Sequence, residues 1–184
     1  KIDSFHDHTS HVAVGPNNVC KFIQHNVLSL ASMHNREYVA HIFNNNNTFL
    51  YTCQEARAKK DGKFVWKKYG IICVTSAADK GKYGCEIWLS MKIKFESLKG
   101  DFTVSLQDVK VVHSDCRLLI VAVTIGHLIV YVVSGHAPYH TPNNQDFVND
   151  WWISTSLVMT LNIPVDAPLL CGIDVNCGFG KTCN

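Results

Sequence analysis

Five polar residues stand just past the ends of apolar, strand-like runs. Asn26 follows KFIQH, Glu55 follows FLYTCQ, His136 follows LIVYVVSG, and Asp174 and Asn176 follow LLCGI. One polar residue in such a place has a plain explanation, because strands end in polar turns. The recurrence at four strand ends points further. In α/β sheets the crevice beyond the carboxyl ends of the strands is where ligands bind. Two carboxylates, an imidazole and two amides would line it, offering hard oxygen donors, hydrogen-bond donors and a group able to move a proton. Asp174 and Asn176 are two apart in an extended segment and so face the same side.

The elements that must position these residues are legible from hydrophobic pattern and turn chemistry. Strands are expected over residues 20–30, 49–53, 70–75, 85–95 and 109–113. A hairpin over 118–124 and 128–133 turns at Gly126-His127, and a last strand covers 168–173. Asn35 is expected to cap a short helix reaching Phe43, with Tyr38, Val39 and Ile42 inward. The asparagine run 44–47 ends it. Pro142-Asn143-Asn144 opens a second helix over 145–161, with Phe147, Trp151, Val158 and Leu161 on one side. Residues 57–68 read as a basic loop and residues 1–18 as a flexible lead-in, leaving 19–184 as one domain. This order suits mixed sheets with helices packed outside them.

Composition sets bounds. The 184 residues carry 47% hydrophobic and 17% charged side chains, enough apolar content for a packed core. A net charge of +2 does not by itself imply a nucleic-acid partner. Charge is local instead: residues 57–68 hold Arg57, Lys59, Lys60, Lys63, Lys67 and Lys68 against the single acid Asp61. The longest apolar stretch, 118–133, is broken by Gly126-His127 and reads as two strands rather than a membrane span. The segment KIDSFHDHTSH lacks the apolar stretch of a signal peptide. Cys53, Cys73, Cys85 and Cys171 lie in apolar runs and no pair has CxxC spacing, so reduced thiols and an intracellular setting, the nucleus included, are expected.

The series Asn26, Gln54-Glu55, His136-Ala137-Pro138 and Asp174-Val175-Asn176 resembles the active-site series of the endonuclease/exonuclease/phosphatase superfamily. The likeness runs from about Cys20 to Gly180 and takes in YGCEIWLS (83–90) and Arg117-Leu118-Leu119-Ile120. The compact spacing, with HAPYH before a Trp-containing helix, is most similar to the endonuclease domains of LINE-type retrotransposons. The resemblance implies a four-layer α/β sandwich, with two mixed, mostly antiparallel sheets flanked by helices. It also implies a Mg²⁺-dependent enzyme, Mn²⁺ being the substitute ion, that nicks one DNA strand to leave a 3′-hydroxyl, within a longer polyprotein.

Phosphodiester hydrolysis needs a positioned water, charge relief on the phosphate and a stabilised leaving alkoxide. By the resemblance Glu55 holds the metal, with Asn26 beside it. Asp174 orients or deprotonates the attacking water, Asn176 holds a phosphate oxygen, and His136 donates to the phosphate or assists the leaving group. Arg57, Lys59, Lys60 and Lys63, next to Glu55 in sequence, are expected to touch the DNA backbone.

The chain departs from the family pattern at two places. Ile173 separates Gly172 from Asp174, where the family has Gly-Asp-Phe-Asn. The family's downstream Asp and C-terminal Ser-Asp-His segment do not occur before Asn184, which implies a C-terminally truncated domain. Two other readings follow from the same residues: an inactive fold serving as a nucleic-acid or protein binding module, and a phosphatase of small phosphate esters. Weaker signals are set aside. His6, His8 and His11 lie in a polar segment without a cysteine partner. Cys171, Cys177 and Cys183 match no zinc spacing, and Trp151-Trp152 are assigned to core packing rather than base stacking.

Overall fold

In the computed structural model, residues 8–13, 19–96 and 100–176 are described. Among the described residues ten strands form two sheets, and each sheet carries one α-helix on its outer face. The first sheet has the order β1-β2-β3-β6-β5-β4, built from β1 (His8–Ala13), β2 (Val19–Asn26), β3 (Thr48–Gln54), β4 (Gly62–Trp66), β5 (Ile71–Thr75) and β6 (Glu86–Ser90). Only its β2–β3 ladder is parallel, the crossover between them being α1 (Met33–Asn45). The second sheet, β10-β9-β8-β7, comprises β7 (Val109–Ser114), β8 (Leu118–Ile125), β9 (Leu128–His136) and β10 (Leu169–Asp174). There β10 lies parallel to β9, after a crossover through α2 (Gln145–Asn162).

Strand alternation sorts the side chains into three packed layers. Leu50, Ile72, Val74, Ile87 and Leu89 of the first sheet meet Leu119, Val121, Val123, Val130 and Val132 of the second. The alternate residues Tyr51, Cys53, Ile71, Cys73 and Trp88 turn outward onto Val39, Ala40 and Phe43 of α1. On the far side Leu118, Ile120 and Val133 pack against Val158, Met159 and Ile163 at α2. The result is the expected four-layer sandwich, helix on sheet on sheet on helix. Strands covered on both faces explain the continuous apolar runs of β3, β5 and β6.

Details of the elements differ from expectation, each for a local reason. Helix α1 starts three residues earlier than Asn35 suggests, because the hydroxyl of Ser32 accepts the Asn35 backbone N–H at 3.1 Å. Its buried face is Val39, Ala40 and Phe43, leaving Tyr38 half exposed. On α2, Phe147 and Leu161 are exposed, and Val148 and Thr155 are buried instead. Trp151 and Trp152 are half-buried and pack edge to face on each other. The run read as a basic loop contains β4, an edge strand whose mixed exposure hides its alternation. Residues 8–13 of the lead-in pair antiparallel with β2.

Cys20, Cys53, Cys73, Cys85, Cys116 and Cys171 are free thiols. Cys171 departs from its expected burial, facing out of edge strand β10. His6, Cys177 and Cys183 lie outside the described residues. Among the described residues no helix is long and apolar enough to cross a membrane.

Candidate active site

Two parallel ladders set the level of the site. In the first sheet Asn26 pairs with Gln54, the residue before Glu55; in the second, Asp174 pairs with His136. Face-to-face packing of the sheets therefore brings four strand ends to one edge of the sandwich. Asn26 Nδ2 donates to Asp174 Oδ2 at 2.7 Å and to Glu55 Oε1 at 3.3 Å, tying the two sheets together. The Asn26 amide is oriented by its Oδ1, which accepts the Leu28 N–H at 3.1 Å. His136 Nε2 lies 3.3 Å from Glu55 Oε1 and 3.8 Å from Asp174 Oδ2. Asn176 donates from its backbone N–H to Asp174 Oδ1 at 3.2 Å, and from Nδ2 to Ala137 O at 2.7 Å, 3.1 Å from His136 Nε2. Thus all five site residues expected from sequence converge.

The turns that aim these side chains are conformationally costly. Glu55, Arg57, Tyr83 and Asn176 all have left-handed backbone, with φ of 56°, 59°, 65° and 50°. Such residues cost about 1–2 kcal/mol each and cluster where the surrounding structure holds them for a purpose. At Glu55 and Arg57 that hold is visible: Ala56 N donates to Gly84 O and Arg57 N to Tyr83 O, each at 2.9 Å.

Below the crevice lies a buried polar layer. Gln24 donates to Gln54 Oε1 at 2.8 Å, and Gln54 Nε2 donates to Gly172 O at 2.9 Å and Ser134 Oγ at 3.1 Å. Ser134 in turn donates to Cys53 O at 3.0 Å. Four of these residues precede a site residue by two: Gln24 before Asn26, Cys53 before Glu55, Ser134 before His136 and Gly172 before Asp174. This layer accounts for the displaced glycine. A Cβ on Gly172 would stand 2.0 Å from Thr52 Oγ1 and 2.9 Å from Gln24 Cγ, so only glycine lets the sheets approach here.

Electrostatics divide the site. His136 is nearly buried, and burial holds its imidazole below the ordinary histidine range despite the opposing pull of Asp174 and Glu55; Arg117 adds to the lowering. The ring is therefore neutral at physiological pH. Glu55 and Asp174 keep side-chain exposures of 22%. Their main shared donor is a neutral amide, with Arg57 reaching Glu55 Oε2 only at 3.3 Å and half exposed. Excess negative charge on hard oxygen donors suits a divalent cation that keeps several waters. Among the described residues no group of three or more His, Cys, Asp or Glu side chains is placed to hold a metal ion.

Lys59 and Lys60 are exposed on the segment that leaves Glu55. Lys63 is tied into the fold, its ammonium donating to Val109 O at 2.5 Å and Leu106 O at 3.0 Å. Two residues at the crevice were not singled out as functional from sequence. Arg117, before β8, reaches His136, and Tyr83 stacks beneath its guanidinium. Arg117 became a neighbour of His136 through the β8–β9 pairing, and Tyr83 through the stacking of the two sheets, neither of which leaves a spacing signal.

No protein-family model and no curated protein sequence matches the chain. Solved structures do. The human nocturnin catalytic domain with bound sulfate aligns with a TM-score of 0.56 at 11% identity, over 93% of this chain and 68% of that one. The endonuclease domain of TRAS1, a telomere-specific non-LTR retrotransposon, gives 0.51 at 14% identity, over 77% and 53%. A 3′ phosphatase from Neisseria bound to a product DNA hairpin gives 0.53 at 18% identity, over 82% and 55%. All three are of the endonuclease/exonuclease/phosphatase superfamily, and the chain has that fold. It spans about half the length of the retrotransposon and Neisseria chains, 53% and 55%.

Proposed function

We propose that the chain carries the site of a metal-dependent phosphodiesterase that nicks one strand of DNA, as a retrotransposon endonuclease does. The observation that carries this reading is the convergence of Asn26, Glu55, His136, Asp174 and Asn176 from separate segments of both sheets onto one crevice. DNA is favoured over a small phosphate ester by the exposed Arg57, Lys59 and Lys60 beside Glu55. The fold neighbours, one an endonuclease domain and one bound to a DNA hairpin, point the same way.

Glu55 would hold Mg²⁺, with Mn²⁺ able to substitute; one carboxylate and retained waters are an ordinary Mg²⁺ environment. When bound, the ion relieves charge on the phosphate oxygens. Asp174, fixed by Asn26 and by the Asn176 backbone, orients the attacking water and takes its proton. Asn176 and neutral His136 donate to phosphate oxygens, stabilising charge as it develops. Arg57, Lys59 and Lys60 follow the DNA backbone without reading sequence.

The test is nicking of supercoiled plasmid by this chain with Mg²⁺, against EDTA and against Glu55→Ala. Metal-dependent nicking that disappears in Glu55→Ala supports the reading. Retained DNA binding without nicking would replace it with that of a binding module, and neither binding nor nicking would direct attention to small phosphate esters.

A further inference from the structure

Arg117 sits at the crevice with no role in the reaction proposed above. It precedes β8, and its backbone carbonyl accepts the His136 N–H at 2.8 Å. Its Nη1 donates to His136 O at 3.1 Å and stands 3.2 Å from His136 Nδ1. The guanidinium lies on the ring of Tyr83, Cζ to centroid 3.7 Å. That ring is itself fixed, because Tyr83 has left-handed backbone, its carbonyl accepts the Arg57 N–H at 2.9 Å, and Gly84 N donates to Cys116 O at 2.8 Å. Arg117 is thus held from three sides against one edge of the imidazole.

We infer that Arg117 is a positioning residue that fixes His136 in the neutral tautomer carrying its proton on Nε2. A guanidinium has only donors and does not lose its proton in a protein, so the nitrogen facing it must offer a lone pair. A neutral imidazole has one such lone pair in its plane. Two donors compete for it: Arg117 at Nδ1, and the Asn176 amide, 3.1 Å from Nε2. The charged donor forms the stronger bond. The surroundings of Nε2 decide in the same direction, since Glu55 Oε1 at 3.3 Å and Asp174 Oδ2 at 3.8 Å would repel a lone pair there and attract a proton. Asn176 Nδ2 loses little, because it keeps Ala137 O at 2.7 Å.

This arrangement reverses the common one in which a carboxylate holds the Nδ1 proton and frees Nε2 as a base. Here Nε2 is committed as a donor toward the crevice. His136 therefore donates a hydrogen bond to a bound phosphate and does not abstract the proton of water, which leaves that step to Asp174. The consequence for catalysis rests on the phosphodiesterase reading; the tautomer does not.

The test is a long-range ¹H–¹⁵N spectrum of the labelled chain, with the His136 ring identified by its disappearance in His136→Gln. Wild-type protein is expected to show a bare, pyridine-like Nδ1 and a protonated Nε2. In Arg117→Met the ring is expected to shift to the other tautomer or to an average of both, as Asn176 takes the lone pair. Arg117→Lys should restore part of the wild-type pattern. A protonated Nδ1 in the wild type overturns the inference even if Arg117→Met does not fold, and so do ring signals unchanged in a folded Arg117→Met. If the chain nicks plasmid, Arg117→Met should lower kcat by roughly tenfold to a hundredfold with KM little changed. A chain that nicks nothing sinks the nuclease reading and leaves the spectroscopic answer intact.

Discussion

Glu86 and Glu55 belong to neighbouring strands of one sheet, and the fold treats them in opposite ways. Glu86, paired across the ladder with Cys53, faces α1 with a side-chain exposure of 0%. Both its oxygens are taken by the Arg36 guanidinium, and Oε2 also accepts Trp88 Nε1–H at 2.7 Å. Arg36 Cζ lies over the Trp88 ring, 5.8 Å from its centroid. Glu55 stands just beyond the end of β3, where Asn26, His136 and a half-exposed Arg57 surround it without matching its charge at close range. One carboxylate is saturated and closed off. The other is oriented but short of positive charge, in company with Asp174. A pocket that leaves charge unbalanced on rigid hard donors is built to receive a cation or a cationic group; one that balances it is built to hold the chain together.

The largest effect should come from breaking the closed pair. Arg36→Ala leaves Glu86 buried without a counter-charge, and removing one partner of such a pair costs about 3–5 kcal/mol. Thermal unfolding should show a drop of roughly 6–20 °C for a domain of this size, or a chain that does not fold. Replacing both partners with apolar residues of similar volume should recover much of the loss, because the pair contributes little beyond its own satisfaction. A change in Tm of only a degree or two in Arg36→Ala would mean that the pair is wet and the contrast with Glu55 is overdrawn.

Next comes the open carboxylate. Glu55→Ala should cost nicking activity about a hundredfold to a thousandfold, comparable to losing an electrostatic group in other active sites. It should leave Tm unchanged or slightly raised, since it relieves repulsion with Asp174 and the left-handed turn is held by backbone bonds from Ala56 and Arg57. Mg²⁺ should raise the Tm of the wild type and not that of Glu55→Ala. Destabilisation of Glu55→Ala as large as that of Arg36→Ala would place both glutamates in the same structural class.

Gly172 lies in the layer beneath the open carboxylate, where the two sheets meet. Gly172→Ala places a methyl group where Thr52 Oγ1 and Gln24 now stand. Overpacking of this kind costs about 1–3 kcal/mol. Because Gln54 donates to Gly172 O and the β2 and β10 ends meet through Asn26 and Asp174, nicking should fall by more than stability alone predicts. Thr52→Ser with Gly172→Ala leaves the clashing oxygen in place, whereas Thr52→Ala removes it and should rescue part of both losses.

The site was largely legible in the sequence because it lies where patterns end. Asn26, Glu55, His136 and Asp174 each interrupt an apolar run, and that interruption is visible without knowing how the runs pair. The layer beneath was not. Gln24 and Ser134 read as polar residues inside strands, and they are joined through Gln54 only once the two sheets are stacked. Arg117 acquires its neighbour through the antiparallel β8–β9 pairing, in which Leu118 lies opposite Gly135, so that Arg117 and His136, 19 residues apart, come side by side. Helix faces were misread for a related reason: α1 carries apolar residues on more than one side, and the sheet beneath, through Tyr51 and Trp88, selects Val39, Ala40 and Phe43. Lys63 looked free because its partners are backbone carbonyls, which leave no mark in a sequence.

The smallest expected effect separates the basic residues from one another. Lys59 and Lys60 are exposed on the segment that leaves Glu55, whereas Lys63 is bonded to Leu106 O and Val109 O. A lysine that neutralises one phosphate contributes about one unit to the slope of log affinity against log salt concentration. Lys59→Ala and Lys60→Ala should each lower that slope by about one, weakening binding similarly on every DNA sequence and leaving folding stability within about half a kcal/mol of the wild type. Lys63→Ala should do the reverse, costing roughly 1–2 kcal/mol of stability through two lost charged hydrogen bonds while the salt slope stays put. A slope that falls with Lys63 and not with Lys59 or Lys60 would move the DNA track away from the Glu55 crevice and onto the edge strand β4.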